Sequence, residues 1–205
     1  VWKSVPQNVA ALRDKTVVAF ARDKVTRVDI ESPKGQVTLT RDKDTWKITA
    51  PEALPADQVE AGAILTQLQG LRAQAFVGDD AAAVARYLAK PDVKVTLHQE
   101  GSQAPTTLLL APSPDRRNGQ PTAYAAVAGA GPVVLVDAKA LGSLSRTALD
   151  LRDRRLFADL QPKDVKRVRV KANGQTAVLE RTGDSDWKLV EPTKGSAKST
   201  KVELT

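Results

Sequence analysis

One histidine, His98, and no cysteine set the first limits on the chemistry of this chain. A disulfide framework, a zinc–thiolate site, an iron–sulfur cluster and a thiol nucleophile are all excluded. Any site needing two imidazoles is excluded as well. A Ser-His-Asp triad would have to use His98, and no G-x-S-x-G nucleophile elbow is present. His98 follows Leu97 in an alternating run, so it is expected to face away from Val95 and Leu97. Without a companion ligand it does not read as a metal site. The 24 acidic residues leave carboxylate chemistry open. Asp57 and Asp115 are the acids a hydrolase reading would use. Asp42/Asp44 and Asp79/Asp80 fall at turn and helix-cap positions instead. No glycine-rich phosphate loop occurs. No catalytic residue, metal ligand or cofactor is assigned.

Three other groups bear on binding. Arg13-Asp14 and Arg152-Asp153 recur at corresponding places and read as structural caps or salt bridges rather than ion sites. Trp46 and Trp187 each stand in an alternating strand shortly before Pro51 or Pro192, where an indole anchors a sheet. The segment Pro112 to Pro121 is polar, proline-bracketed and carries adjacent arginines. Arg116, Arg117 and Asn118 in it are the candidate partner contact, because loops carry function more often than core does.

The elements that position these residues follow from periodicity. Val25 to Ile30, Val37 to Thr40 and Thr45 to Ile48 alternate apolar and polar residues, the mark of half-buried strands. Ser32-Pro33-Lys34-Gly35 and Asp42-Lys43-Asp44 supply the turns, and Pro51 and Pro55 stop the run. Asp57 and Glu60 have capping-box spacing. The helix after them sets Ala61, Ile64, Leu65, Leu68 and Leu71 on one stripe. Asp80 opens a short second helix with Val84, Tyr87 and Leu88 inward, closed by Pro91. Val93 to Leu97, Thr107 to Leu110, Thr122 to Val127 and Val133 to Val136 read as strands. Asp137 caps a last helix through Leu141 and Leu144. Strand hairpins with a few helices predict an α+β fold of mainly antiparallel sheet.

Part of the chain matches another part. Val25, Arg27, Val28 and Ile30 correspond to Val165, Arg167, Val168 and Val170. Leu39 and Arg41 correspond to Leu179 and Arg181, and Trp46-Lys47-Ile48 to Trp187-Lys188-Leu189. Leu12-Arg13-Asp14-Lys15 corresponds to Leu151-Arg152-Asp153-Arg154. The offset stays near 140 positions, too long for a solenoid repeat of ~20–50 residues. The expectation is a tandem repeat: residues 1–11 the tail of one unit, 12–150 a complete unit, 151–205 the start of a truncated third. The chain has no methionine and begins at Val1, which reads as an excised piece, with Thr205 falling inside a predicted helix.

The length of 205 residues suffices for a packed core without disulfide or metal. The net charge of +7 is uneven. Residues 1–151 hold 18 basic and 16 acidic residues, and residues 152–205 hold 13 and 8. A basic end can attract nucleic acid or an anionic surface. Aromatics make up only 4%, too few for nucleic-acid stacking. No apolar run is long enough to span a membrane.

The order of these motifs resembles a known family. Leu-Arg-Asp-Lys, Phe20, Val28-Asp29-Ile30, Trp46-Lys47-Ile48 with Pro51, Leu68 to Ala73, Tyr87-Leu88 with Pro91, Val95-Thr96-Leu97, Leu108-Leu109-Leu110, Tyr124 and Val133 to Val136 are similar to the bacterial DUF4340 domain. One departure is Ala111-Pro112, where that family tends to have a glycine. The resemblance implies proteins encoded beside ABC transporters of the gliding-motility type, with an N-terminal membrane anchor and the domain outside the cytoplasm. It implies no catalytic residues.

The functional expectation is therefore a non-enzymatic, extracytoplasmic binding or scaffold module. Its partners would be proteins of an ABC-transporter or envelope complex, with no nucleic acid, and with membrane contact only through an anchor outside this chain. The alternative is a periplasmic hydrolase, or a glycan- or anionic-surface-binding domain using the basic C-terminal part.

Overall fold

A computed structural model describes residues 13–155, 160–172, 174–191 and 195–197. The expected tail over 1–11 and the helix expected at Thr205 lie outside the described residues. The chain divides into two compact units, Val1–Arg154 and Arg155–Thr205.

The first unit is built on a nine-stranded sheet. Its strands are β1 (Val25–Ser32), β2 (Gly35–Asp42), β3 (Thr45–Ala50), β4 (Leu54–Pro55), β5 (Ala75–Gly78), β6 (Val93–Gln99), β7 (Thr106–Arg117), β8 (Gln120–Val127) and β9 (Ala130–Asp137). Their spatial order is β4-β3-β2-β1-β6-β7-β8-β9-β5. Every pairing is antiparallel. The helices are α1 (Gln58–Gly70), α2 (Ala81–Tyr87), α3 (Lys139–Leu144) and α4 (Ala148–Leu151). This is the α+β architecture expected from the pattern.

Alternation decides which side chains meet. Val28 and Ile30 of β1, Val37 and Leu39 of β2, Trp46 and Ile48 of β3, and Val95 and Leu97 of β6 all point to one face. There they pack against Ala61, Ile64, Leu65 and Leu68 of α1 and Leu144 of α3. Each fully buried side chain of this size stabilises the fold by about 1.5–3 kcal/mol. Among the described residues the opposite face is covered toward the β7-β8-β9-β5 side, where Ala83 of α2 and Leu88 meet Tyr124, Ala126, Val133 and Leu135. Strand β8 is thus buried on both faces from Thr122 to Ala126. That explains its run of alanines. Gly78 belongs to the same packing, since a Cβ there would lie 2.5 Å from the Cβ of Ala83.

Helix α1 starts as its sequence predicts. The Asp57 carboxylate accepts from the amides of Val59 and Glu60 at 2.8 and 3.2 Å. The capping box is not reciprocal, however. The Asp57 amide donates to the Leu151 carbonyl at 2.8 Å, and Glu60 pairs with Arg146 at 3.2 Å. Helix α2 is capped by Asp80 through Ala83. After α3 the chain makes a further short helix that periodicity does not show, α4, opened by a capping box of Thr147 and Asp150. Strand β5 was missed too, because four residues are too few to show a period.

The second unit holds a four-stranded antiparallel sheet. Its strands are β10 (Arg167–Ala172), β11 (Gln175–Arg181), β12 (Trp187–Glu191) and β13 (Gly195–Ala197), in that spatial order. Its registers repeat those of the first unit. Val28↔Leu39 and Ile30↔Val37 have counterparts in Val168↔Leu179 and Val170↔Ala177. Arg41↔Trp46 has its counterpart in Arg181↔Trp187. The irregularity between Thr38 and Leu39 recurs between Val178 and Leu179. Ile48↔Leu54 matches Leu189↔Gly195.

Candidate functional site

The half of the sheet face that no helix covers among the described residues is polar. Arg27, Asp29 and Glu31 of β1 lie between Thr38 and Thr40 of β2 and Lys94, Thr96 and His98 of β6. Asp29 is the centre. One carboxylate oxygen accepts from Arg27 Nε at 2.9 Å and from Thr38 Oγ1 at 2.7 Å. The other lies 2.9 Å from His98 Nε2. Burial pushes the Asp29 carboxyl up, yet the Arg27 and Thr38 hydrogen bonds, the Arg27 charge and the His98 bond outweigh it. The group therefore ionises below the usual carboxylate value. Around it, Thr96 and Thr107 share a hydrogen bond of 3.0 Å, Thr40 and Thr49 one of 3.1 Å, and Lys94 meets Glu31 at 3.4 Å. Such cross-strand pairs each contribute a few tenths to about 1 kcal/mol.

His98 therefore faces away from Val95 and Leu97, as alternation predicted, and it has an acidic partner that sequence reasoning did not find. Asp29 lies 69 positions away, and only the β1–β6 pairing brings the two together. The arrangement is a charge-locked network. The hydroxyl nearest the dyad, that of Thr38, bonds to Asp29 rather than to His98, so it is not placed as a nucleophile activated by the imidazole.

The arginine segment has a different form from the expected loop. Strand β7 runs on to Arg117 and β8 begins at Gln120, with Arg116↔Pro121 and Arg117↔Gln120 in register. Asn118 and Gly119 have φ of 48° and 77°, the signature of a two-residue type I′ hairpin turn. Asn-Gly zips the strands together, and the prolines are absorbed by a register shift between Pro112 and Arg116. Arg116, Arg117 and Asn118 are all exposed at this tip. Arg116 donates to the Gly119 carbonyl at 3.1 Å.

Arg13 and Asp14 take separate partners. Arg13 reaches Asp79 at 2.6 and 3.2 Å and stacks 3.8 Å above the Phe76 ring. Its hydrogen bond holds the Asp79 carboxyl below its ordinary value. Asp14 accepts from the Thr16 amide at 2.9 Å. The two Arg-Asp segments brace α1 at opposite ends. The Lys15 carbonyl accepts from Ala73, while Leu151 and Asp153 bond to the backbone of Asp57 and Pro55.

Trp46 and Trp187 are both buried, 8% and 7% exposed, which fits the anchor role. Gln58 clamps the first of them. Its side-chain amide accepts from Trp46 N at 2.7 Å and donates to Trp46 O at 3.0 Å. Arg41 donates to the carbonyls of Lys43 and Asp23. Its counterpart Arg181 donates to those of Val165, Asp184 and Pro162 and stacks on Trp187 at 4.8 Å. Each arginine ties a short 3-10 turn to its hairpin. Beside Trp46 lies a cleft of about 460 Å³ lined by Arg22, Asp23, Arg41, Asp44 and Gln58.

The two acids of the hydrolase reading lie on different elements, Asp57 with its carboxylate bound to amides and Asp115 with its side chain exposed. Asp57 caps α1, and Asp115 lies in the β7–β8 hairpin, its carbonyl accepting from Thr122. Among the described residues no three His, Asp or Glu side chains gather to hold a metal, and no helix is long and apolar enough to cross a membrane.

No curated protein and no solved structure matches this chain. The model of one family does, twice, over residues 1–81 and over residues 46–205. Its description is a domain of unknown function, DUF4340. Together the two matches span the chain, which therefore belongs to the DUF4340 family.

Proposed function

We propose that this chain is a non-enzymatic binding or scaffold module built as tandem repeats of a unit of about 140 residues. In this reading it is the extracytoplasmic part of a membrane-anchored protein that serves an ABC-transporter or envelope complex. The observation that carries it is the repeated register. Two sheets of one chain use the same pairings, the same irregularity and the same arginine tie between a 3-10 turn and the hairpin. Repetition of a sheet with its structural clamp, and not of a reactive group, favours a modular surface over a catalytic centre. The dyad supports this, since Arg169 stands in the position of Asp29 in the second unit. The exposed β7–β8 tip with Arg116, Arg117 and Asn118 supplies a contact for an acidic patch on a protein partner.

Fractionation of the source cells tests the reading. The parent protein is expected in the membrane fraction, with this domain cleaved by protease added outside spheroplasts. Recovery of the full-length protein in the cytosol, protected from that protease, would overturn it.

A further inference from the structure

The cleft beside Trp46 lies wholly within the first unit, where the 3-10 turn Arg22–Lys24, the β2–β3 turn and α1 meet. Its volume of about 460 Å³ is that of a small-ligand site. Two guanidiniums line it, and neutral oxygens hold both in place. Arg22 donates to the Thr66 hydroxyl at 3.1 Å and to the Gly62 carbonyl at 3.2 Å. Arg41 donates to the carbonyls of Lys43 and Asp23, both at 2.9 Å. A guanidinium has more N–H groups than these bonds use, so each arginine keeps donors for a ligand.

Gly62 gives Arg22 its seat. Glycine weakens the interior of a helix, yet α1 carries one in its second turn, facing Arg22. A Cβ there would lie 3.2 Å from Arg22 Nη2, closer than an ordinary contact. The missing side chain lets the guanidinium lie on the helix backbone. A further donor comes from the floor of the strand. Trp46 lines the cleft, and its indole N–H meets no acceptor among the described residues. Trp46 and Leu65 also supply the apolar part of the lining.

This combination selects a class of ligand. Guanidinium forks match carboxylates and phosphates. Asp23 and Asp44 line the same cleft, and Asp44 lies 3.6 Å from Arg41. These acids oppose a ligand with several negative charges, which disfavours phosphates and runs of acidic residues. A single carboxylate with an apolar group beside it fits the donors, the charge and the apolar lining together. The last residue of a polypeptide presents that pair of groups, and its capture is a recurring mode of peptide recognition.

We propose that the Trp46 cleft binds the C-terminal carboxylate of a partner polypeptide that ends in an apolar residue. Arg22 and Arg41 hold the carboxylate, and the Trp46 indole and Leu65 receive the apolar side chain. This rests on the partner-binding reading above but uses a surface separate from the hairpin tip.

The test titrates the full chain, labelled with nitrogen-15, with four N-acetylated peptides and follows the indole N–H resonance of Trp46. The first is Gly-Ser-Gly-Ser-Leu with a free C-terminal carboxylate. The second is the same sequence with a C-terminal carboxamide. The third keeps the free carboxylate but ends in Ser. The fourth, Gly-Leu-Glu-Leu-Ser with a carboxamide end, carries one internal acid between apolar residues. The first peptide is expected to shift the Trp46 resonance saturably and leave that of Trp187 in place. It should bind at least tenfold tighter than the carboxamide and several-fold tighter than the third and fourth peptides. Arg22→Gln should weaken it at least tenfold with the melting temperature nearly unchanged. Gly62→Ala should weaken it too without lowering the melting temperature, because it improves the helix while displacing Arg22. A purely structural role for Arg22 and Gly62 would move stability and not affinity. Equal binding of the acid and the carboxamide would overturn the proposal. So would equal binding of the internal acid, an Arg22→Gln chain that binds as the parent does, or a Trp46 resonance that no peptide moves. Arg116→Glu with Arg117→Glu should leave the titration unchanged, so failure of the cleft and failure of the hairpin tip are distinguishable.

Discussion

Asp29 on β1 and His98 on β6 meet at 2.9 Å on the polar face of the sheet. Arg27 and Thr38 complete the shell of the carboxylate, so this face is fastened by one half-buried acid and its donors. Because the Asp29 carboxyl ionises below its ordinary value in the folded chain, its contribution to stability is complete above about pH 4, the unfolded value. That contribution disappears as pH falls through the lower folded value. Asp29→Asn should cost about 1–2 kcal/mol at neutral pH. The gap between variant and parent should close in strong acid. Urea unfolding followed across the acid range checks this. His98→Ala should raise the Asp29 pKa toward its ordinary value, which carboxyl NMR titration reads directly.

Gln58 stands in for a strand on the free edge of Trp46, satisfying both its amide and its carbonyl. Gln58→Ala strips two partners from a buried backbone position, and each loss costs about 1–3 kcal/mol. Val59→Ala, next to it on an outward position 78% exposed, should change stability by less than about 0.5 kcal/mol. Denaturant midpoints of the two variants make the comparison.

The β7–β8 tip depends on the positive φ of Gly119. Gly119→Val should cost about 1–2 kcal/mol or more, because an L side chain resists that conformation. Hydrogen exchange should rise first at Arg116 to Pro121. Arg116→Glu with Arg117→Glu should leave the melting temperature nearly unchanged, since both side chains are exposed.

The periodic parts of the fold were legible in the sequence. The strands with Val28, Leu39 and Trp46, the α1 stripe and the caps at Asp57 and Asp80 all follow from local pattern, and local pattern is what fixes them. What escaped depends on distant partners. The Asp57 amide bonds to Leu151 rather than to Glu60 because the chain returns there. Four-residue β5 exists only because β9 offers an edge. Prolines at 112 and 114 read as a loop, and the Asn118-Gly119 turn overrode them by pairing the flanking strands. The Asp29–His98 contact needed the order of strands, which no local spacing contains. The near-140 offset was readable because it is a comparison of the chain with itself.

The most direct test of the module reading places a photo-crosslinking residue at Arg117 of the parent protein in its own cells, with Val59 as the control position. The account predicts an ultraviolet-dependent adduct from position 117, absent from position 59 and abolished by Arg116→Glu, whose partner identifies as a subunit of an ABC-transporter or envelope complex. Equal crosslinking at both positions, or an adduct only with soluble cytosolic proteins, would contradict it.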